Sequence, residues 1–264
     1  MENVVFACIA PHGWLLIPLV SGPDGEKARA SRAALEEMGR RMEAARPETV
    51  VIIEPHGLLI DNTISILDSS RVDGRTGGPT ELGATAHGYS MTFDVDRDLN
   101  AAIAAAAGAA GGPVARARNF LDFGIFSPPK LVVASVGPGV PRPHYVGFGR
   151  AVRAAAAECG RRIAFIASAD LGHRHAPGGP YGFDPSAAEC DVAVVEAVRA
   201  DALDRLLGYD AGWVGRAHTE AVEPLLSLHG VVEGTGLRPQ VMLYEVPTYF
   251  GMLCAAYGPS PPNS

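Results

Sequence analysis

The sequence predicts an α/β fold: a largely parallel or mixed central sheet flanked by helices, with a site at the carboxyl ends of the strands. Three observations carry this. Short apolar runs rich in Val and Ile recur along the chain, each broken by Pro or by Asp-Leu-Gly, and read as buried strands. Segments with helical periodicity separate several of them. Three of the runs also end on histidine: VVFACIAPH at His12, VVIIEPH at His56 and IAFIASADLGH at His173. Ligands of open α/β sheets gather at the carboxyl ends of the strands. Three imidazoles delivered to one edge therefore predict a metal or acid–base site.

The elements follow in order. Val4 to Ala10 reads as the first strand, and a loop with His12 and Trp14 follows it. Glu26 to Arg46 reads as a helix, because Ala33, Leu35, Met38 and Met42 form an apolar stripe and Pro47 stops it. Val50 to Ile53 is the second strand and Thr63 to Leu67 a short one. Ser69 to Gly88, rich in Gly, Thr and Arg, reads as a long loop of the kind that often carries function. Alanine-dense Asp98 to Ala110 predicts a helix and Leu131 to Val136 a strand. His144 to Cys159 predicts a helix closed by Gly160. Ile163 to Ala167 is the strand that leads to His173. Asp184 caps a predicted helix over Pro185 to Leu207. Glu220 to Leu228 is a further helix, and Val241 to Val246 and Tyr249 to Ala255 are late strands. Residues 1–258 form one catalytic α/β domain in this reading, and residues 259–264 a frayed tail.

Composition narrows the function classes. A chain of 264 residues with 47% hydrophobic and 19% charged residues can bury a substantial core. Net charge is −7 and Lys27 and Lys130 are the lysines, so no basic stripe predicts a nucleic-acid or anionic-membrane partner. Cys8, Cys159, Cys190 and Cys254 are scattered without C-x-x-C spacing, which predicts free thiols. Glu2 and the early Pro-His-Gly break do not read as a signal peptide, and no apolar stretch is long enough to span a bilayer. The expected location is cytoplasmic. There is no G-x-S-x-G elbow, Walker loop, H-E-x-x-H or dinucleotide fingerprint.

The candidate site is built from matched pieces. His12 and His56 share the triplet Pro-His-Gly, in which Pro restrains the backbone and Gly admits close approach. Glu54 is a further candidate ligand, or else an acceptor behind His56 or a solvated strand-end charge. The turn Ser168-Ala169-Asp170-Leu171-Gly172-His173-Arg174-His175 is costly to bury unless its polar groups are partnered, and Asp170 is placed to orient His173. Two His and one carboxylate suit non-heme Fe(II). By spacing alone Glu220, Glu223 and Glu245 are equal candidates for that carboxylate. Trp14, Phe123, Phe126, Tyr181 and Tyr249 are aromatic candidates for a pocket. Trp14, Phe123 and His175 are taken as its substrate-binding set. His87, His144, His218 and His229 lack a matching context and read as surface or helix-end residues, although His218 lies near Glu220.

These residues resemble the class III extradiol ring-cleavage dioxygenases, the superfamily of the protocatechuate 4,5-dioxygenase beta subunit. His12 matches the histidine after the first strand, and His56 the one that ends a V-x-x-x-x-x-H strand. Glu220-Ala221-Val222-Glu223 followed by Pro224-Leu225-Leu226 matches an E-x-x-E helix, which the resemblance turns into a choice of Glu223. Tyr244-Glu245-Val246-Pro247 matches a strand that supplies no ligand. His173 matches the acid–base histidine. Leu121-Asp122-Phe123-Gly124 departs from the Asp-His-Gly of many members, and so puts the substrate in question. The resemblance implies Fe(II) on His12, His56 and Glu223. It implies a catechol or aminophenol and O₂ as substrates, with His173 moving the proton. A homodimer is the default, with room for a small partner subunit. The alternatives are a Zn²⁺ hydrolase on the same donors, or a metal-binding homologue without ring-cleaving chemistry.

Overall fold

A computed structural model describes residues 3–18, 21–76, 89–117 and 130–259. Its elements run β1 (Val4–Ala10), α1 (Arg29–Ala45), β2 (Thr49–Glu54), β3 (Ile64–Leu67), β4 (Arg71–Thr76), β5 (Tyr89–Asp94), α2 (Arg97–Ala109) and β6 (Val114–Ala117). They continue with β7 (Leu131–Ser135), α3 (Arg142–Glu158), β8 (Ile163–Ser168), α4 (Ser186–Arg199), α5 (Ala211–Ala217), α6 (Val222–Val232), β9 (Leu237–Glu245) and β10 (Met252–Pro259).

An eight-stranded mixed sheet, ordered β6-β3-β7-β2-β8-β1-β10-β9, is the frame. Its centre is parallel: β2 pairs with β7 and β8, and β8 with β1. Antiparallel β10 and β9 extend one side. The three runs that end on histidine are thus three adjacent strands, with β8 between β1 and β2. Their residues alternate between two cores, as a pleated strand requires. Ala7, Ile9, Val51, Ile53 and Phe165 face the side covered by α2, α3, α4 and α6. Phe6, Cys8, Val50 and Ile166 face Leu35, Met38 and Met42 of α1. That double burial explains why the runs are continuously apolar rather than alternating. Cys8, Cys159, Cys190 and Cys254 are free thiols. No described helix is long and apolar enough to cross a membrane.

Several expectations change in detail. The expected loop over 69–88 supplies Arg71–Thr76, which pairs antiparallel with Tyr89–Asp94. Polar Asp73, Gly74 and Arg75 dilute the strand signal, while Val72 and Phe93 are buried. Residues 77–88 lie outside the described residues, as does most of the expected frayed tail. The predicted long helix from Pro185 ends at Arg199, because Asp201 takes a left-handed backbone (φ 53°) and a 3₁₀ turn, Leu203–Gly208, follows. Helix α5 was not predicted; Asp210 caps it by accepting the Trp213 N–H at 2.7 Å.

Helix α6 starts at Val222, so Glu220 lies before it. This helix is pressed onto α3 backbone to backbone. A Cβ on Gly149 would lie 2.0 Å from the Ser227 carbonyl, and one on Gly230 2.1 Å from that of Val146. Gly149→Ala is therefore expected to destabilise by about 1–3 kcal/mol through overpacking. Gly147→Ala on the same helix meets nothing within 4 Å. It should be neutral or stabilise by about 0.5–1 kcal/mol. Paired urea unfolding curves read the difference, and equal midpoints for the two variants would contradict this packing.

Candidate metal centre

The centre forms where β1, β8 and β2 end side by side. His12 follows β1 and is 4% exposed. Gly13 after it takes φ 101°, a turn that favours glycine. Two anchors from the neighbouring strand fix the imidazole. The His12 backbone N–H donates to Asp170 Oδ1 at 3.2 Å, and His12 Nδ1 of the ring lies 3.1 Å from Ser168 Oγ. The other ring nitrogen, Nε2, is thereby aimed across β8 at His56.

His56 is held from behind. Its backbone N–H donates to Glu54 Oε2 at 2.7 Å, and the Ser135 hydroxyl donates to Glu54 Oε1. A Cβ on Gly57 would lie 2.1 Å from both Glu54 Oε1 and Ser135 Oγ, so the second Pro-His-Gly triplet needs its glycine for this approach. Glu54 is thus an orienting acceptor rather than a donor at the centre.

The two Nε2 atoms stand 2.8 Å apart. Glu220 Oε2 lies 3.3 Å from each of them. That oxygen is buried and makes no hydrogen bond of good geometry. Burial would raise the Glu220 carboxyl, but His12 and His56 outweigh it and hold the group well below the usual carboxylate range. Two imidazole nitrogens and one carboxylate oxygen at this spacing match donors around one divalent ion with bonds of about 2.0–2.2 Å. The residues fit a metal.

The expected carboxylate was Glu223, and here the structure differs. His12, His56 and Glu220 converge. Glu223, in the first turn of α6, is not one of these converging donors; with Glu220, Arg142 and His218 it lines an adjoining cavity of about 500 Å³. Burial raises its carboxyl. The helical i, i+3 relation fails because the chain enters α6 from a left-handed His218 (φ 52°), with Glu220 still in the connection. The Glu220 N–H donates to the Asp170 carbonyl at 3.2 Å and fixes that connection. Glu245 accepts from the Ser31 N–H at 3.0 Å and hydroxyl at 2.6 Å, so it ties the first turn of α1.

Asp170 and His173 close one side. With Glu220 they form a second convergent group. Asp170 Oδ2 is 3.5 Å from His12 Nε2. Burial pushes the Asp170 carboxyl up to about 7, against the pull of His12 and with the help of Glu220. His173 Nδ1 lies 2.8 Å from the His218 carbonyl and donates there, so that carbonyl, rather than Asp170 as expected from sequence, orients the ring and leaves Nε2 as the basic nitrogen. Burial lowers the His173 pKa. Phe250 stacks on the ring at a centroid distance of 5.2 Å, and Tyr181 and Tyr249 stand at 5.8 and 6.1 Å. His218, read from sequence as a surface or helix-end residue, also stacks on Tyr181 at 4.1 Å.

His175 takes a different place from the expected substrate contact. Its Nε2 is 2.9 Å from Asp191 Oδ2. Asp191 is fully buried and also accepts the Gly172 N–H at 2.7 Å and the Tyr244 hydroxyl at 2.9 Å. This carboxylate clamps the turn that carries His173. No sequence motif singled it out, because it sits inside an ordinary amphipathic helix. Trp14 lies in a 3₁₀ turn and is 47% exposed. Phe123 and Phe126 lie outside the described residues.

The family model described as the catalytic LigB subunit of aromatic ring-opening dioxygenase matches residues 6–252, and the chain belongs to that family. A protein of Clostridium acetobutylicum is 22% identical over 256 residues, which cover 90% of this chain and 54% of that protein. The chain thus spans about half the length of this relative. The crystal structure of an uncharacterized protein from Escherichia coli K12 shares the fold, with a TM-score of 0.60 and 17% identity over 96% of this chain and all of the other.

Removing Glu220 leaves two imidazoles. Glu220→Ala is expected to lower metal affinity by about 10–100-fold or more, whereas Glu223→Ala should keep it within about threefold. Metal analysis after dialysis against buffered Fe(II) or Zn²⁺ distinguishes them. Loss in Glu223→Ala with retention in Glu220→Ala would restore the assignment expected from sequence.

Proposed function

We propose that this chain is an extradiol-type dioxygenase that opens a catechol- or aminophenol-type ring with O₂, with Fe(II) held by His12, His56 and Glu220. The observation that carries the reading is the convergence of two imidazole nitrogens and one buried carboxylate oxygen beside a separately oriented His173. Bound Fe(II) would supply the redox chemistry that joins O₂ to an electron-rich ring.

The chain's own residues do the rest. His12 and His56 present Nε2 because Ser168, Asp170 and Glu54 hold them from behind. His173 Nε2 takes a proton from the substrate hydroxyl and later returns it, its tautomer set by the His218 carbonyl. Its depressed pKa favours the neutral base before the substrate arrives. Phe250 covers one face of that imidazole. Tyr181 and Tyr249 provide aromatic surface that suits a flat ring. His56, 46% exposed at its side chain, leaves the centre open for entry.

The test is oxygen uptake by protein loaded anaerobically with Fe(II) and offered a panel of catechols and aminophenols. Uptake with formation of a coloured ring-opened product is expected. His173→Ala should keep its iron and lose about 10²–10⁴ in kcat. If wild-type protein consumes no oxygen with any of them, or acts as a hydrolase when loaded with Zn²⁺ alone, the dioxygenase reading fails.

A further inference from the structure

At the end of the sheet opposite the metal centre lies a cavity of about 880 Å³. Phe6 at the start of β1 lines it, about 20 Å from His12 at about 3.3 Å per strand residue. Arg41, Arg46, Arg162 and Arg238 also line it, and among the described residues no carboxylate does. In a chain of net charge −7, this is a local reversal of sign. Between the guanidinium groups the floor is apolar, from Phe6, Ala45 and Ala256.

The arginines divide into a fixed part and an available part. Arg162 donates to the Ala45 and Arg46 carbonyls at 2.7 and 3.4 Å, which caps the carboxyl end of α1 and fixes that wall. Arg41 is held at Glu37 through Nε, at 2.8 Å, and at Gln240 through Nη1, at 2.7 Å. Its side chain is 38% exposed. Arg238 uses Nη1 on the Thr235 and Leu237 carbonyls and stays 55% exposed, 3.6 Å from Asp201. Glu37 and Asp201 offset part of the positive charge from outside the lining, and Glu37 is shared with Arg40.

We infer that this cavity binds an organic polyanion, with its phosphate or carboxylate head on Arg41 and Arg238 and its apolar body on the floor around Phe6 and Ala256. The Nε–Nη2 edge of Arg238, whose bonds run through Nη1, can meet either oxyanion bidentately, and Arg41, held through Nε and Nη1, adds Nη2. The cavity falls in the range of about 300–1,000 Å³ of organic-ligand sites and exceeds what a head group alone would fill. Because it lies at the other end of the strands from His12, it is a site separate from the metal centre, and its ligand is not that centre's substrate.

Calorimetric titration of the whole chain with ADP, with trimesate and with inorganic pyrophosphate tests this. At least one of the two organic anions should bind, and which one tells phosphate heads from carboxylate heads. Pyrophosphate should bind about tenfold more weakly or worse, because it lacks the body. Arg41→Ala and Arg238→Ala should each weaken the organic anion by about tenfold, with unchanged melting temperature. Glu220→Ala should bind it as wild type does. The inference is overturned if neither organic anion binds at millimolar concentration, or if pyrophosphate binds equally well. It is also overturned if the arginine variants bind unchanged, or if Glu220→Ala abolishes binding.

Discussion

Asp170 joins the two halves of the candidate centre. Its side chain accepts the backbone N–H of His12, and its backbone carbonyl accepts that of Glu220. One residue at the end of β8 thus couples a strand-end histidine to a carboxylate that arrives about fifty residues later. This coupling has an electrostatic cost. Asp170 is almost fully buried and sits near Glu220, so its carboxyl is driven up to about 7. One buried and one half-buried carboxyl with two imidazoles in one pocket are poor stabilisers on their own. Such crowding is characteristic of sites arranged for chemistry, and a divalent cation would offset the like charge.

The supporting scaffold is stiff where the centre needs precision. The glycine contact between α3 and α6 seats the second half of α6, around Ser227 and Gly230, while the Glu220 N–H bond to the Asp170 carbonyl fixes the connection before the helix. The left-handed turn at His218 directs its carbonyl onto His173 Nδ1. Asp191 braces the His173 turn from α4 and from Tyr244 in β9. Elements distant in the chain therefore converge on His12, His56, Glu220 and His173.

Much of this was legible in the sequence. The mixed α/β sheet follows from the double burial of its apolar runs, and the two Pro-His-Gly triplets mark residues that do come together. The chain's membership of the ring-opening dioxygenase family agrees with the resemblance those motifs carry. The choice between Glu220 and Glu223 was not legible. It depends on where α6 begins, which is set by a positive φ at His218 and by a tertiary hydrogen bond to Asp170. The role of His175 was hidden for a similar reason. Its partner, Asp191, lies sixteen residues away on another element and carries no motif. The β4–β5 pair escaped because its strand positions are mostly polar and its pairing joins segments on either side of residues 77–88.

The central claim is that one metal ion sits among His12, His56 and Glu220, with His173 beside it rather than on it. Anomalous diffraction at the iron edge, from crystals grown anaerobically with Fe(II), tests it most directly. One strong peak bonded to both Nε2 atoms and to a Glu220 oxygen at about 2.0–2.2 Å is expected. A peak bonded to His173 and Asp170, or to Glu223, would contradict it.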